Sequence, residues 1–258
     1  MIDLKEALTF TEELCTTKGT YLLSKWNEVG ELEFHDSIDF TTKFDKQVEK
    51  EIYEEIRRKY PDHGFYGEEL EDLREVNREY VWHVDPVDGT KYFGRQVPLF
   101  TTVVGLTFKE KPILGAVYNP SSKQLYSGAK RLGSNLNGEK LTVTDGAKLK
   151  DSIIALELGD DDLLWEVEKI KEILEKAGRV RVFGNATMSI CWSLQNALGG
   201  YIDLFGMKDH GKWQDLIAPL IIAEEAGMKV RNIHVGKKTK LVCALPSIVE
   251  QLVEILEK

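Results

Sequence analysis

Asp85-Pro86-Val87-Asp88-Gly89-Thr90 carries the plainest chemistry in the chain. A β-type run, Tyr80-Val81-Trp82-His83-Val84, ends in a carboxylate; Pro86 stiffens the turn and a second carboxylate follows three residues on. Two carboxylates at a strand end, with a backbone carbonyl between them, form an oxygen-rich pocket suited to a hard divalent cation such as Mg²⁺. If Gly89 and Thr90 open a helix, their amides point at an anion held beside that cation. Cation, anion and acidic protein together describe a phosphate ester bridged to the chain by metal. The bland alternative is an acidic turn.

Other acids stand where they could join the pair. Glu68 and Glu69 follow Gly67, with Glu68 seventeen residues before Asp85. Asp215 stands at the head of an apolar helical run ending in Glu224-Glu225-Ala226-Gly227, where the positive end of a helix dipole favours an anion or a ligating carboxylate. Asp45 begins a helix striped by Phe44, Val48, Ile52 and Ile56. Each has a structural alternative. Thr42-x-x-Asp45 is close to a capping box worth about 1 kcal/mol, and Asp215 can serve as a helix-end charge. Glu69 reads as a solvated neighbour, with Glu68 the ligand; Glu224 and Glu225 read as structural. His83 alternates with Asp85 and either faces the site or is a satisfied strand histidine.

Two motifs lead elsewhere and are set aside. Gly206-x-x-x-x-Gly211-Lys212 nearly spells a nucleotide-binding loop, but Trp213 stands where a hydroxyl must meet Mg²⁺. The haloacid-dehalogenase phosphatases carry D-x-D with a covalent nucleophile; here the pair is D-x-x-D, which favours activated water over an aspartyl-phosphate.

The elements that position these acids follow from periodicity. A helix is expected over about Leu4–Trp26, then the helix of Asp45, which Tyr60-Pro61 ends. Strands are expected at 80–84, 100–108, 113–118 and 124–127, with 133–138 a surface turn. The second half alternates: strand 152–156, helix 160–177, strand 179–183, helix 186–198, strand 201–205, helix 213–226, a short strand, and a last helix from Pro246. This predicts an α+β half, 1–150, holding the metal and phosphate motif. An α/β half, 151–258, supplies Asp215 and substrate contacts. Trp26, Trp165 and Trp192 read as core or interface aromatics, and the charges from Glu168 to Lys176 as an exposed helical face.

The whole chain narrows the function classes. Its 258 residues are 42% apolar and 30% charged, a globular composition, and 34 Lys+Arg against 43 Asp+Glu give a formal charge of −9. That balance argues against nucleic acid as a partner. Cys15, Cys191 and Cys243 are scattered, without a metal or disulfide spacing. The charged start and the short longest apolar run, Leu216 to Ala223, speak against a leader and a membrane partner; the expected setting is cytoplasmic.

From Asp39 to Gly227 the chain resembles the inositol monophosphatase superfamily, the lithium-sensitive Mg²⁺-dependent phosphatases. Thr42-Lys43-Phe44-Asp45 is similar to its T-x-x-D segment and Gly67-Glu68-Glu69 to its G-E-E. Residues 85–90 match its D-P-[IVL]-D-G-T, continued by Phe93 and Pro98. Trp213-Gln214-Asp215 with Glu224 to Gly227 resembles its W-D and E-A-G-G signature. The resemblance implies a layered αβαβα sandwich of the inositol monophosphatase and sugar phosphatase type, mixing α+β and α/β. It implies that Glu68, Asp85 and the Val87 carbonyl bind one Mg²⁺, and that Asp85, Asp88 and Asp215 bind a second. Asp45, Glu68 and Thr90 orient the attacking water, and Gly89 with Thr90 holds the phosphate. Two or three ions, with Mn²⁺ a possible substitute, a small phosphorylated metabolite and a homodimer complete what it implies. Cations about 4 Å apart bridge phosphate oxygens and lower the pKa of a bound water.

Departures bear on the substrate. Thr90-Lys91-Tyr92-Phe93 replaces T-x-N-F, and lysine there resembles the histidinol-phosphate and 3′-phosphonucleotide branches; Pro98-Leu99-Phe100-Thr101-Thr102 resembles the histidinol-phosphate branch. Gln214 splits the W-D pair and Met228 replaces a glycine. The resemblance implies an acid near Met207-Lys208-Asp209 that reads substrate hydroxyls, a role open to Asp209 after a one-residue shift and not to Lys208. The expected activity is a phosphomonoesterase for a small polyol or sugar phosphate, inositol 1-phosphate foremost and fructose bisphosphate next. The alternatives are histidinol-phosphate or 3′-phosphonucleotide hydrolysis, or a catalytically silent phosphosugar-binding subunit.

Overall fold

The structure, a computed structural model, describes residues 2–29, 33–34, 40–158, 163–208, 216–236 and 238–258. Asp209 and Asp215 therefore lie outside the described residues. The chain forms two compact units. The first takes in the chain up to Lys140 and a later stretch ending at Ile222; the second takes in Leu141 onward and Ala223–Lys258.

In the first unit α1 (Leu4–Lys25) starts where Asp3 Oδ1 accepts the amides of Lys5 at 2.9 Å and Glu6 at 3.2 Å. A two-residue pair, β1 (Glu33–Phe34) and β2 (Phe40–Thr41), precedes α2 (Lys43–Lys59). Then come β3 (Gly64–Gly67), β4 (Tyr80–Asp88), the short α3 (Thr90–Gly94), β5 (Thr101–Phe108), β6 (Lys111–Asn119), β7 (Gln124–Ala129), β8 (Gly133–Leu136) and β9 (Glu139–Leu141). These last seven strands make one sheet in sequence order, parallel between β3 and β4 and antiparallel from β4 to β8.

Alternation sorts the two faces of that sheet. Trp82, Val84, Val104, Leu106, Leu114 and Ala116 join the buried faces of α1 and α2 in one apolar cluster. Lys18, buried between the two helices, is neutralised by Glu51 at 3.0 Å and Glu55 at 2.7 Å. On the other face Gly105, Gly115 and Gly128 stand opposite one another on three successive strands. There the first turns of α6 (Ile217–Ala226) lie against the sheet. A Cβ at Gly115 would sit 2.4 Å from Ala218 Cα, so the helix backbone seats only because the row lacks side chains.

The second unit has β10 (Ile153–Glu157), α4 (Leu163–Lys176), β11 (Arg179–Arg181), α5 (Ala186–Leu194), β12 (Gly200–Lys208), β13 (Lys229–Val235), β14 (Lys238–Ala244) and α7 (Val249–Glu257). Its sheet order is β11-β10-β12-β14-β13, parallel across β11-β10-β12 and antiparallel beyond. Ile173 of α4 and Val249, Leu252, Ile255 and Leu256 of α7 cover it.

Three local expectations change. The 133–138 turn is a strand followed by a turn: Gly133–Leu136 pairs with β7, and the reversal falls at Asn137 and Gly138, with φ of 53° and 80°. The helix expected to Leu198 ends at Leu194 because Asn196 is left-handed, φ 58°, with its Oδ1 accepting the Thr144 amide at 3.0 Å. Lys169 is not on an exposed face: it is buried, with its ammonium 5.7 Å from the Trp165 ring centre. Among the described residues no helix is long and apolar enough to cross a membrane.

Candidate active site

The site grows from a fault in the β4–β5 ladder. Asp85 stands opposite Val103 and Asp88 opposite Thr101, so β4 spends three steps where β5 spends two. This is a β-bulge, and Pro86, which has no N–H to give a ladder, sits inside it. Side chains close the bulge. Asp85 Oδ1 accepts the Val87 amide at 2.9 Å, the Thr102 hydroxyl donates to Pro86 O at 2.9 Å, and the Thr101 hydroxyl donates to Asp88 Oδ2 at 2.7 Å. Asp85 is buried and Asp88 half-buried. In the sequence Thr101 and Thr102 stand only as a branch likeness; their offset of one puts one hydroxyl on each face of β5, a signal for this role.

Gly89 follows with φ 89°, a conformation glycine adopts without strain, and turns the chain into α3. Its carbonyl accepts the amides of Tyr92 at 2.8 Å and Phe93 at 3.0 Å. Trp26 anchors the far end of this helix: its indole N–H donates to Phe93 O at 2.9 Å and its ring lies 5.5 Å from that of Phe100. Thr90 points its hydroxyl back, 2.9 Å from Val87 O and 3.0 Å from Asp45 Oδ1. One hydroxyl proton serves one of these acceptors at a time.

Asp45 belongs to the buried stripe of α2 and is 1% exposed. Its Oδ2 accepts the Thr42 amide at 3.0 Å and the Thr42 hydroxyl, while the Thr42 oxygen accepts the Phe44 amide at 3.2 Å. The capping box is therefore real, and the carboxylate's other oxygen meets Thr90. Burial, reinforced by the nearby Glu69 charge, pushes the Asp45 carboxyl up to about 6 against the hydrogen bonds from Thr42 and Thr90.

Glu68 is exposed at the end of β3; Glu69 beside it accepts the Thr41 hydroxyl at 2.5 Å. Glu49, one turn beyond Asp45 on α2, is a residue the sequence reading did not single out. It is fully buried, and its carboxylate accepts the amides of Glu69 at 2.8 Å and Leu70 at 2.7 Å. Burial raises its pKa against those two bonds. The signal was present: Asp45, Glu49, Ile52 and Ile56 follow the 4-3-4 spacing of one helical face more closely than the Phe44-Val48 stripe does.

His83 is a buried strand histidine with Nε2 3.1 Å from the Thr107 hydroxyl. Lys91 is exposed on the first turn of α3. The structure thus joins Asp45 to Thr90, Thr90 to Val87, and Asp85 to Val87 by hydrogen bonds. Among the described residues, no three Asp, Glu, His or Cys side chains converge closely enough to hold a metal ion.

Comparison with known proteins gives these contacts a context. Residues 3–257 match the model of the inositol monophosphatase family. The chain is 33% identical over 232 residues to a fructose-1,6-bisphosphatase/inositol-1-monophosphatase of Aquifex aeolicus, covering 88% of this chain and 86% of that one. It is 29% identical over 231 residues to inositol monophosphatase 1 of Solanum lycopersicum, covering 87% and 83%. Its fold is similar to that of an IMPase from Thermotoga maritima, with a TM-score of 0.84 at 22% identity over 98% of this chain and 97% of that one.

Proposed function

Because the chain belongs to the inositol monophosphatase family and is a phosphoric monoester hydrolase, we propose that it releases phosphate from a small polyol or sugar phosphate, inositol 1-phosphate foremost. Glu68, Asp85, Asp88, the Val87 carbonyl and Asp215 would hold Mg²⁺. The donor set is all oxygen, the chemistry that a hard cation takes. The buried, charge-crowded Asp45 marks a place where positive charge would be welcome. When bound, Mg²⁺ supplies a Lewis acid for phosphate oxygens and lowers the pKa of a water.

The chain's own residues supply the rest. With its proton turned to Asp45 Oδ1, the Thr90 oxygen presents lone pairs to a water, which Glu68 orients from the other side. The proton lost by that water on attack has a path through Thr90 Oγ1 to Asp45 Oδ1. Gly89 and Thr90 hold the phosphate. The 3.0 Å contact between Thr90 and Asp45, side chains forty-five positions apart, is the observation that carries this reading.

The substrate class draws on the Aquifex relative, whose name covers both a bisphosphate and inositol phosphate. Asp209 would read substrate hydroxyls. Exposed Lys91 favours a second reading, a substrate with a second anionic group such as a 3′-phosphonucleotide; histidinol phosphate is kept beside it on the branch likeness alone. The family likeness carries homodimerisation, a cytoplasmic setting and lithium sensitivity as parts of the same proposal. The test is phosphate release from inositol 1-phosphate, fructose 1,6-bisphosphate, histidinol phosphate and a 3′-phosphonucleotide, each with Mg²⁺ and with added Li⁺. Release from inositol 1-phosphate, suppressed by Li⁺, is expected; Lys91→Ala should spare it and weaken turnover of doubly anionic esters. No release from any ester would point to a silent binding subunit and end the proposal.

A further inference from the structure

Resting on that reading, we infer that Glu49 and Arg74 are positioning residues that together fix the Gly67-Glu68-Glu69 turn so that Glu68 meets its cation in one preset shape. A ligating carboxylate on a short turn is only as good as the groups that hold the turn still. Here four backbone groups around Glu68 have charged partners. On one side the buried Glu49 carboxylate takes the Glu69 and Leu70 amides at 2.8 and 2.7 Å. On the other, Arg74 gives Nε–H to Gly67 O at 2.9 Å and Nη2–H to Glu68 O at 2.9 Å.

The clamp is itself anchored. The Arg74 guanidinium lies 4.6 Å from the Tyr66 ring centre and its Nη1 is 3.1 Å from Glu71. The chain beyond it returns to β3 through Phe65 and Glu75, which exchange backbone bonds of 2.9 and 2.7 Å. A Cβ at Gly67 would lie 2.3 Å from the Glu49 carboxylate, so the glycine is what lets the acid reach the turn. A leucine at 49 would complete an apolar helix face. A carboxylate there is costly unless its oxygens are hydrogen-bonded, and these amides satisfy them. Because Asp45 and Glu49 sit one turn apart on α2, a single helix relates the Thr90 hydroxyl to the Glu68 turn.

Titration calorimetry of the metal-stripped full chain with Mg²⁺, alongside thermal melting, tests this in wild type, Glu49→Gln, Arg74→Ala, Glu68→Gln and Lys18→Met. Glutamine at 49 can accept one amide but turns its NH₂ toward the other, donor to donor. Glu49→Gln and Arg74→Ala should weaken Mg²⁺ binding about 10–100-fold, with kcat recovering at saturating Mg²⁺. Lys18→Met removes a buried charge that pairs with Glu51 and Glu55 and makes none of the four bonds to the turn; it should lower the melting temperature without moving Mg²⁺ affinity. If Glu49→Gln does not fold, Arg74→Ala, on a partly exposed side chain, decides the matter. Wild-type Mg²⁺ affinity in Arg74→Ala, with weak binding in Glu68→Gln, overturns the clamp alone. Undiminished affinity in Glu68→Gln overturns the ligand assignment beneath it.

Discussion

At Asp45 one carboxylate does two jobs that the sequence presents as rivals. Oδ2 completes the helix cap, worth about 1 kcal/mol, and Oδ1 meets Thr90. The cost shows in its titration, since burial lifts the carboxyl from 3.8 to about 6. An acid whose folded pKa is raised loses stability as pH climbs from its unfolded value through its folded one. Between about pH 4 and 6 the unfolded chain releases a proton that the folded chain keeps, and the loss totals about 3 kcal/mol above that window. Asp45→Asn should abolish this decline. Denaturant unfolding of the metal-free protein at pH 4.5 and pH 8 is therefore expected to show the variant gaining relative to wild type at the higher pH. A parallel pH dependence in the two proteins would contradict the shifted carboxyl. The aspartate was legible from Thr42-x-x-Asp45, and Glu49 was missed because an acid inside an apolar face is easily taken for a solvated position.

Among the elements, the bulge and the glycine row do the positioning. The β4 strand was legible from Tyr80 to Val84, but its continuation to Asp88 was not, because Pro86 reads as a strand end. Only the Thr101 and Thr102 hydroxyls show how β5 tolerates the extra residue. The row Gly105, Gly115 and Gly128 was equally silent, since register across strands is a tertiary fact. That row seats α6, which begins two residues after Asp215. Alanine at 115 would set its Cβ 2.4 Å from Ala218 Cα, backbone that cannot rotate away. Gly115→Ala should destabilise by about 1–3 kcal/mol as overpacking does. By shifting the head of α6 it should also weaken Mg²⁺ activation at temperatures where the variant is fully folded. Urea unfolding together with Mg²⁺-dependent rates checks both; lost stability with normal Mg²⁺ dependence would show that α6 does not set the ligand.

For the whole molecule, composition pointed to a globular chain, and the formal charge of −9 argued against a nucleic-acid partner. The parallel part of the second sheet fits the alternation of strands and helices read after residue 150, and the first sheet fits the strand run read before it. The return of a stretch ending at Ile222 to the first unit was not legible, because it depends on packing against strands about a hundred positions earlier. The proposed activity requires acids from separate stretches to act as one cation-dependent centre. Phosphate release from inositol 1-phosphate by chelator-stripped chain, back-titrated with Mg²⁺, tests that most directly when run beside Asp88→Asn of unchanged circular dichroism. No release without Mg²⁺, a saturable rise with it in wild type, and a variant that stays at background are expected. Release by the stripped protein, or a near-normal rate in Asp88→Asn, would contradict it.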